Sequence, residues 1–82
     1  MPSESEVRSW LVDHLADLLD IVAADIEPDD LLSNYGLDSV GAVSTAGAME
    51  EHFQVELDPA IFLRALTVNS ILAALKTRGV VR

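Results

Sequence analysis

The chain has 82 residues, with fourteen acidic side chains against five basic ones, a formal net charge of −9 and a hydrophobic share of 50%. That length bounds one small domain, residues 1–82, with little room for both a core and a deep pocket of its own, and the hydrophobic share excludes a disordered acidic tail. The charge argues against nucleic acid, whose phosphates need cations, and for basic protein partners; the absence of cysteine removes disulfides and thiolate metal sites.

The charge is divided along the chain. Residues 1–58 hold all fourteen acids and one base, Arg8, whereas Arg64, Lys76, Arg78 and Arg82 follow with no acid among them. Glu4, Glu6 and Arg8 stand where a signal peptide needs an apolar core, and no apolar run reaches membrane-spanning length, so a cytoplasmic chain without a membrane partner is expected.

Ser3 followed by Glu6 fits a capping box, so a first helix should begin near residue 4. Val7, Trp10, Leu11, His14, Leu15, Leu18, Leu19 and Val22 recur at steps of three and four and form its apolar stripe. From Ala23 to Asp38 the period breaks around Pro28, Asn34 and Gly36. A long loop is expected there, pinned to the core by Ile26, Leu31, Leu32, Tyr35 and Leu37, with one short helical turn over Pro28–Leu32.

A second helix should run from about Ser39 to Phe53, burying Ala42, Val43, Ala46, Met49 and Phe53 and turning Val40, Ser44, Gly47 and Glu51 outward. Asp58 before Pro59 reads as an N-cap with proline at the first helical position, which gives a short third helix to Arg64. Thr67 should cap a last helix with Val68, Ile71, Leu72 and Leu75 inside, ending at Gly79 with Lys76 and Arg78 near the negative end of its dipole. Gln54–Leu57 could be extended. The fold class is all-α, a small antiparallel four-helix bundle of three longer helices and one short one, with a long loop between the first two.

Three chemistries compete for the loop and the residue after it. Asp25, Glu27 and Asp29 alternate like the start of a calcium loop, but Asp30 stands where a glycine should turn the chain, and Gly36 where a bidentate glutamate is needed. No metal site is expected. Ser39 and Gly41 match the last half of a hydrolase nucleophile elbow, but Leu37 replaces its first glycine. His14 reads as a satisfied core or boundary histidine, and His52 lies about 20 Å along the second helix from Ser39, too far to act as its base. The third reading makes Ser39 an attachment point, because a hydroxyl at a helix N-terminus sits among free backbone N–H groups suited to a phosphodiester. Against all of these stands a plain alternative: a non-modified acidic helical interaction module in which Ser39, or Asp38, is only an N-cap.

Gly36-Leu37-Asp38-Ser39-Val40 after a long acidic loop, with Glu50-Glu51-x-Phe53 closing the same helix, resembles the acyl carrier proteins over nearly the whole chain, from Val7 to about Arg78. Gly36, Leu37, Asp38 and Val40 then frame the modification motif. The resemblance implies that a phosphopantetheinyl transferase attaches the 4'-phosphopantetheine of coenzyme A to Ser39, and that the arm's thiol carries acyl or ketide groups as thioesters. It implies a carrier and not an enzyme, served by an acyltransferase, a ketosynthase or an acyl-activating ligase with basic docking surfaces. Asp38, Val40, Ser44, Gly47, Glu50 and Glu51 are the implied docking residues, with close approach by a partner expected at Gly47.

The sequence departs from the family in two places. Gly41 and Ser44 stand where many fatty-acid-type carriers have acids, and Arg64-Ala65-Leu66 where many relatives have a His-Pro pair, a change that bears on the third helix. Peptide-synthetase carriers more often have a Gly-Gly pair shortly before their serine, so Gly36-Leu37-Asp38-Ser39 points to polyketide biosynthesis, with fatty-acid and peptide-synthetase carriers as alternatives. The short ends, without a Pro-rich or Ala-rich linker, point to a freestanding protein.

Overall fold

The computed structural model describes residues 1–64 and 67–82, which form four α-helices: α1 (Glu4–Leu19), α2 (Ser39–Phe53), α3 (Ala60–Arg64) and α4 (Val68–Thr77). The bundle is all-α as expected, and among the described residues no strand occurs, Gln54–Leu57 included. Ala65 and Leu66, which belong to the departure noted before Thr67, lie outside the described residues.

Local chemistry explains the helix starts. The Ser3 hydroxyl accepts the Glu6 N–H at 3.1 Å while the Glu6 carboxylate takes the Ser3 N–H, a complete capping box. The Asp58 carboxylate accepts the Ala60 N–H at 2.9 Å ahead of α3. Thr67 and Ser70 cap each other reciprocally at the start of α4. The ends were harder to foresee. Asp20 and Gln54, neither of them glycine, adopt left-handed conformations at φ 56° and 57° and stop α1 and α2. The last helix ends at Thr77, two residues before the expected Gly79, which itself has φ 76°.

Val7, Leu11 and Leu15 of α1 pack with Ala42, Ala46 and Met49 of α2, Ile61 and Phe62 of α3, and Val68, Ile71, Leu72 and Leu75 of α4. A fully buried side chain of this size stabilises by about 1.5–3 kcal/mol. Two expected stripes were too wide. Leu18, Val22 and Val43 are 43%, 64% and 46% exposed, because α1 stops at Leu19 and α2 buries Thr45 in place of Val43. Burial of Thr45 is tolerable because its hydroxyl donates to the Gly41 carbonyl at 2.8 Å.

The loop from Ile21 to Asp38 differs in detail from expectation. Helical turns form at Ala23–Asp25 and Leu32–Tyr35, both of them 3-10, rather than over Pro28–Leu32. Ile26 and Leu32 are buried and Tyr35 and Leu37 half-buried, while Leu31 points out at 44% exposure. Polar anchors complete the attachment. Asn69 of α4 donates its backbone N–H to the Pro28 carbonyl at 3.0 Å and its Nδ2 to Asp29 at 2.6 Å, and accepts from Arg8 of α1 at 2.8 Å. The Tyr35 hydroxyl accepts the Glu27 N–H at 2.9 Å and donates to Asp30 at 3.1 Å. Asp29 and Asp30 thus tie the loop together, and among the described residues no group of three or more ligating side chains could hold a metal ion. Gly36, at φ 97°, ends the second turn in a conformation that favours glycine and delivers the chain to α2.

Candidate functional site

Ser39 is the first residue of α2 and is exposed. It does not cap the helix. Asp38 is the N-cap, in extended conformation, and its carboxylate accepts the Gly41 N–H at 2.8 Å. The cap expected of Ser39 or Asp38 is thus made by Asp38 alone, which leaves the serine hydroxyl outside it. Ser39 and Val40 supply the next backbone N–H groups of the first turn, which have no acceptor within the helix and sit at the positive end of its dipole. An exposed hydroxyl beside free amides fits a phosphodiester, and no side chain of the first turn other than Asp38 is charged.

The surroundings differ on the two sides of the serine. Towards α3 lies a hollow of about 170 Å³ whose lining includes Leu32, Leu37, Asp38, Ser39, Phe62 and Leu63. Towards α1 lies a groove of about 310 Å³ whose lining includes Leu18, Leu37, Val40, Gly41 and Ser44. Gly41 makes this second wall possible. A Cβ there would lie 2.9 Å from Leu37 Cδ1, 3.4 Å from Asp38 Oδ1 and 3.4 Å from Leu18 Cδ2.

Val40, at 76% exposure, Ser44, Gly47 and Glu51 follow one another at helical spacing and all face outward. A Cβ added at Gly47 would meet nothing within 4 Å. Glu50 is half-buried, and with Glu51 and Glu56 it lines a shallow depression at the far end of α2. This end of the helix carries acidic side chains, whereas none stands at Gly41 or Ser44.

The histidines are gathered elsewhere. Trp10 stacks on His14 at 4.9 Å and on His52 at 5.4 Å, with Phe53 edge-on at 5.7 Å. Against expectation His14 is not satisfied: its buried Nε2 has no hydrogen-bond partner among the described residues. Two features escaped the sequence reading. The fold of Leu37 over Gly41 had one visible signal, a glycine inside a helix where an acid is usual, and the hydroxyl bond of Thr45 to Gly41 had none.

A family model described as a phosphopantetheine attachment site matches residues 9–75. The chain is 32% identical over 65 residues to polyketide synthase PksL of Bacillus subtilis, covering 79% of this chain and 1% of that protein. It is 29% identical over 72 residues to a phenolphthiocerol/phthiocerol polyketide synthase of Mycobacterium tuberculosis, covering 88% of this chain and 4% of that one. The chain thus spans a few hundredths of these relatives' length. Among solved structures, a free-standing peptidyl carrier protein from Acinetobacter baumannii superposes with a TM-score of 0.81 at 25% identity, over 93% of this chain and 95% of that one.

Proposed function

Because the chain belongs to the phosphopantetheine attachment-site family of carrier domains, we propose that Ser39 is the residue to which its 4'-phosphopantetheine is joined, and that residues 1–82 act as one carrier domain in polyketide biosynthesis. The observation that carries this is the division of labour at the start of α2: Asp38 caps the helix, and Ser39, one residue on, is exposed with its hydroxyl outside the cap. The Ser39 oxygen would enter the phosphodiester, with the amides of Ser39 and Val40 as the available donors. Bound there, the arm supplies a flexible tether ending in a thiol for acyl cargo.

The chain's own residues hold and present. Gly36 delivers the loop, Leu37 seats it over Gly41, and the anchors of Asn69 and Tyr35 keep it from wandering. Tethering raises the effective concentration at which a partner meets the cargo, so chemistry is left to the phosphopantetheinyl transferase and the acyl-handling enzymes that follow it. Both histidines are gathered at Trp10 rather than beside Ser39. Docking through Asp38, Val40, Ser44, Gly47, Glu50 and Glu51 is supported by the outward face of α2 and its acidic end. The polyketide assignment rests on Gly36-Leu37-Asp38-Ser39 and on the two polyketide synthases among the relatives.

Incubation with coenzyme A and a broad-specificity phosphopantetheinyl transferase, followed by proteolysis and tandem mass spectrometry, tests the assignment. The modification is expected on Ser39. Modification confined to Ser33 or Ser44 would refute it.

A further inference from the structure

Resting on the attachment of the arm to Ser39, we propose that Gly41 is a positioning residue for the loading of that serine, acting through Leu37. By leaving room for the Leu37 side chain, the glycine keeps it out of the hollow that Ser39 borders.

Leu37 stands between two open spaces. It belongs to the lining of the hollow towards α3 and to that of the groove towards α1, whereas Ser39 belongs to the lining of the hollow only. The Leu37 N–H donates to the Leu32 carbonyl at 3.2 Å, which holds its backbone. Its Cδ1 comes to 2.9 Å from the point where a Cβ on Gly41 would stand, well inside the 3.5–4.0 Å or so at which carbon atoms pack.

Gly41 is itself held on both sides. Its N–H is taken by the Asp38 carboxylate and its carbonyl by the Thr45 hydroxyl, each at 2.8 Å. A side chain added at position 41 therefore moves Leu37 rather than the helix. Leu18 Cδ2, 3.4 Å from the same point, crowds the α1 side. The space on the other side is the hollow of about 170 Å³ among Leu32, Phe62, Leu63 and Ser39. The atom that gives way is the end of a flexible side chain, and it exchanges one apolar setting for another, so the fold tolerates the change. The serine does not escape it, because the displaced leucine comes to stand on the flank from which Ser39 is presented. Small displacements of a reacting group cost rate more than affinity.

Two measurements test this, with the broad-specificity phosphopantetheinyl transferase and coenzyme A as the probe of loading. In isotope-labelled apo Gly41→Ala, the nuclear Overhauser contacts of the Leu37 methyls should strengthen to Phe62 and Leu63 and weaken to Leu18. In steady-state loading, Gly41→Ala should lower kcat roughly three- to tenfold with the KM for the carrier unchanged. In a Leu37→Ala background, where no side chain is there to be displaced, the same substitution should change kcat by less than about twofold. Unmoved Leu37 methyls, a wild-type kcat in Gly41→Ala, a loss confined to KM, or an equal loss in the Leu37→Ala background would overturn the positioning role while leaving the attachment site standing. A wild type that gains no mass at Ser39 would instead overturn the attachment reading, and the positioning role with it.

Discussion

The Asp38 carboxylate accepts the Gly41 N–H at 2.8 Å, so the residue before the serine, and not the serine, closes the N-terminus of α2. Asp38→Ala should therefore destabilise the fold by about 0.5–2 kcal/mol in urea denaturation. Asp38→Asn keeps a capping oxygen and should restore most of that stability. If the Asp38 charge is also read by the transferase, Asp38→Asn will load more slowly than the wild type despite its stability. Equal loading rates for the two proteins would confine Asp38 to capping.

The two glycines of α2 should respond oppositely to alanine. At Gly47 an added Cβ meets open space, so Gly47→Ala should stabilise by about 0.5–1 kcal/mol, a gain of roughly 2–8 °C in melting temperature. At Gly41 the new Cβ must displace Leu37 from 2.9 Å, which should cancel that gain. Thermal unfolding of the two variants decides, and equal gains would remove the packing role given to Gly41. Gly47→Ala should also slow loading if a partner packs closely there; a stabilised variant with unchanged rates would rule that contact out.

Asn69 joins α1, the loop and α4 through Arg8, Asp29 and Pro28. Its replacement by alanine removes the side-chain bonds to Arg8 and Asp29 and keeps the backbone bond to Pro28, which should cost about 1–3 kcal/mol. Hydrogen exchange should rise in the loop before Ser39 more than in α2. Uniform acceleration across the chain would contradict the view that Asn69 holds the loop in particular.

Much of this architecture was legible in local patterns. Ser3 with Glu6, Asp58 with Pro59, and Thr67 each marked a helix start because a cap needs only residues within three positions. The helix start at the candidate site, Asp38 and Ser39, was legible for the same reason, although which of them caps could not be read from composition alone, since both side chains are able to. What was hidden depends on contacts distant in sequence. Asn69 meets partners 40 and 61 residues away. Leu18 and Val43 sit at apolar positions of their stripes yet stay exposed, because a bundle of four short helices leaves some faces without a neighbour. Asp20 and Gln54 end helices in a conformation that usually announces itself by glycine.

Association with basic partners should slow as ionic strength rises, because exposed charges are screened over about 8–10 Å at 0.1–0.15 M salt. Glu50→Gln and Glu51→Gln should each raise the KM for transferase loading at low salt and shrink the salt dependence. Stopped-flow loading across a salt series measures both effects. Salt-insensitive kinetics would shift the weight of docking to the apolar surface around Val40.

The central claim, that Ser39 carries the arm, is tested most directly by intact mass. Wild type and Ser39→Ala are incubated side by side with coenzyme A and the broad-specificity transferase, with circular dichroism confirming that both are helical. The account predicts one 4'-phosphopantetheine added to the wild type and none to Ser39→Ala. An unchanged wild-type mass under conditions that load another carrier, or an addition that persists in Ser39→Ala, would contradict it.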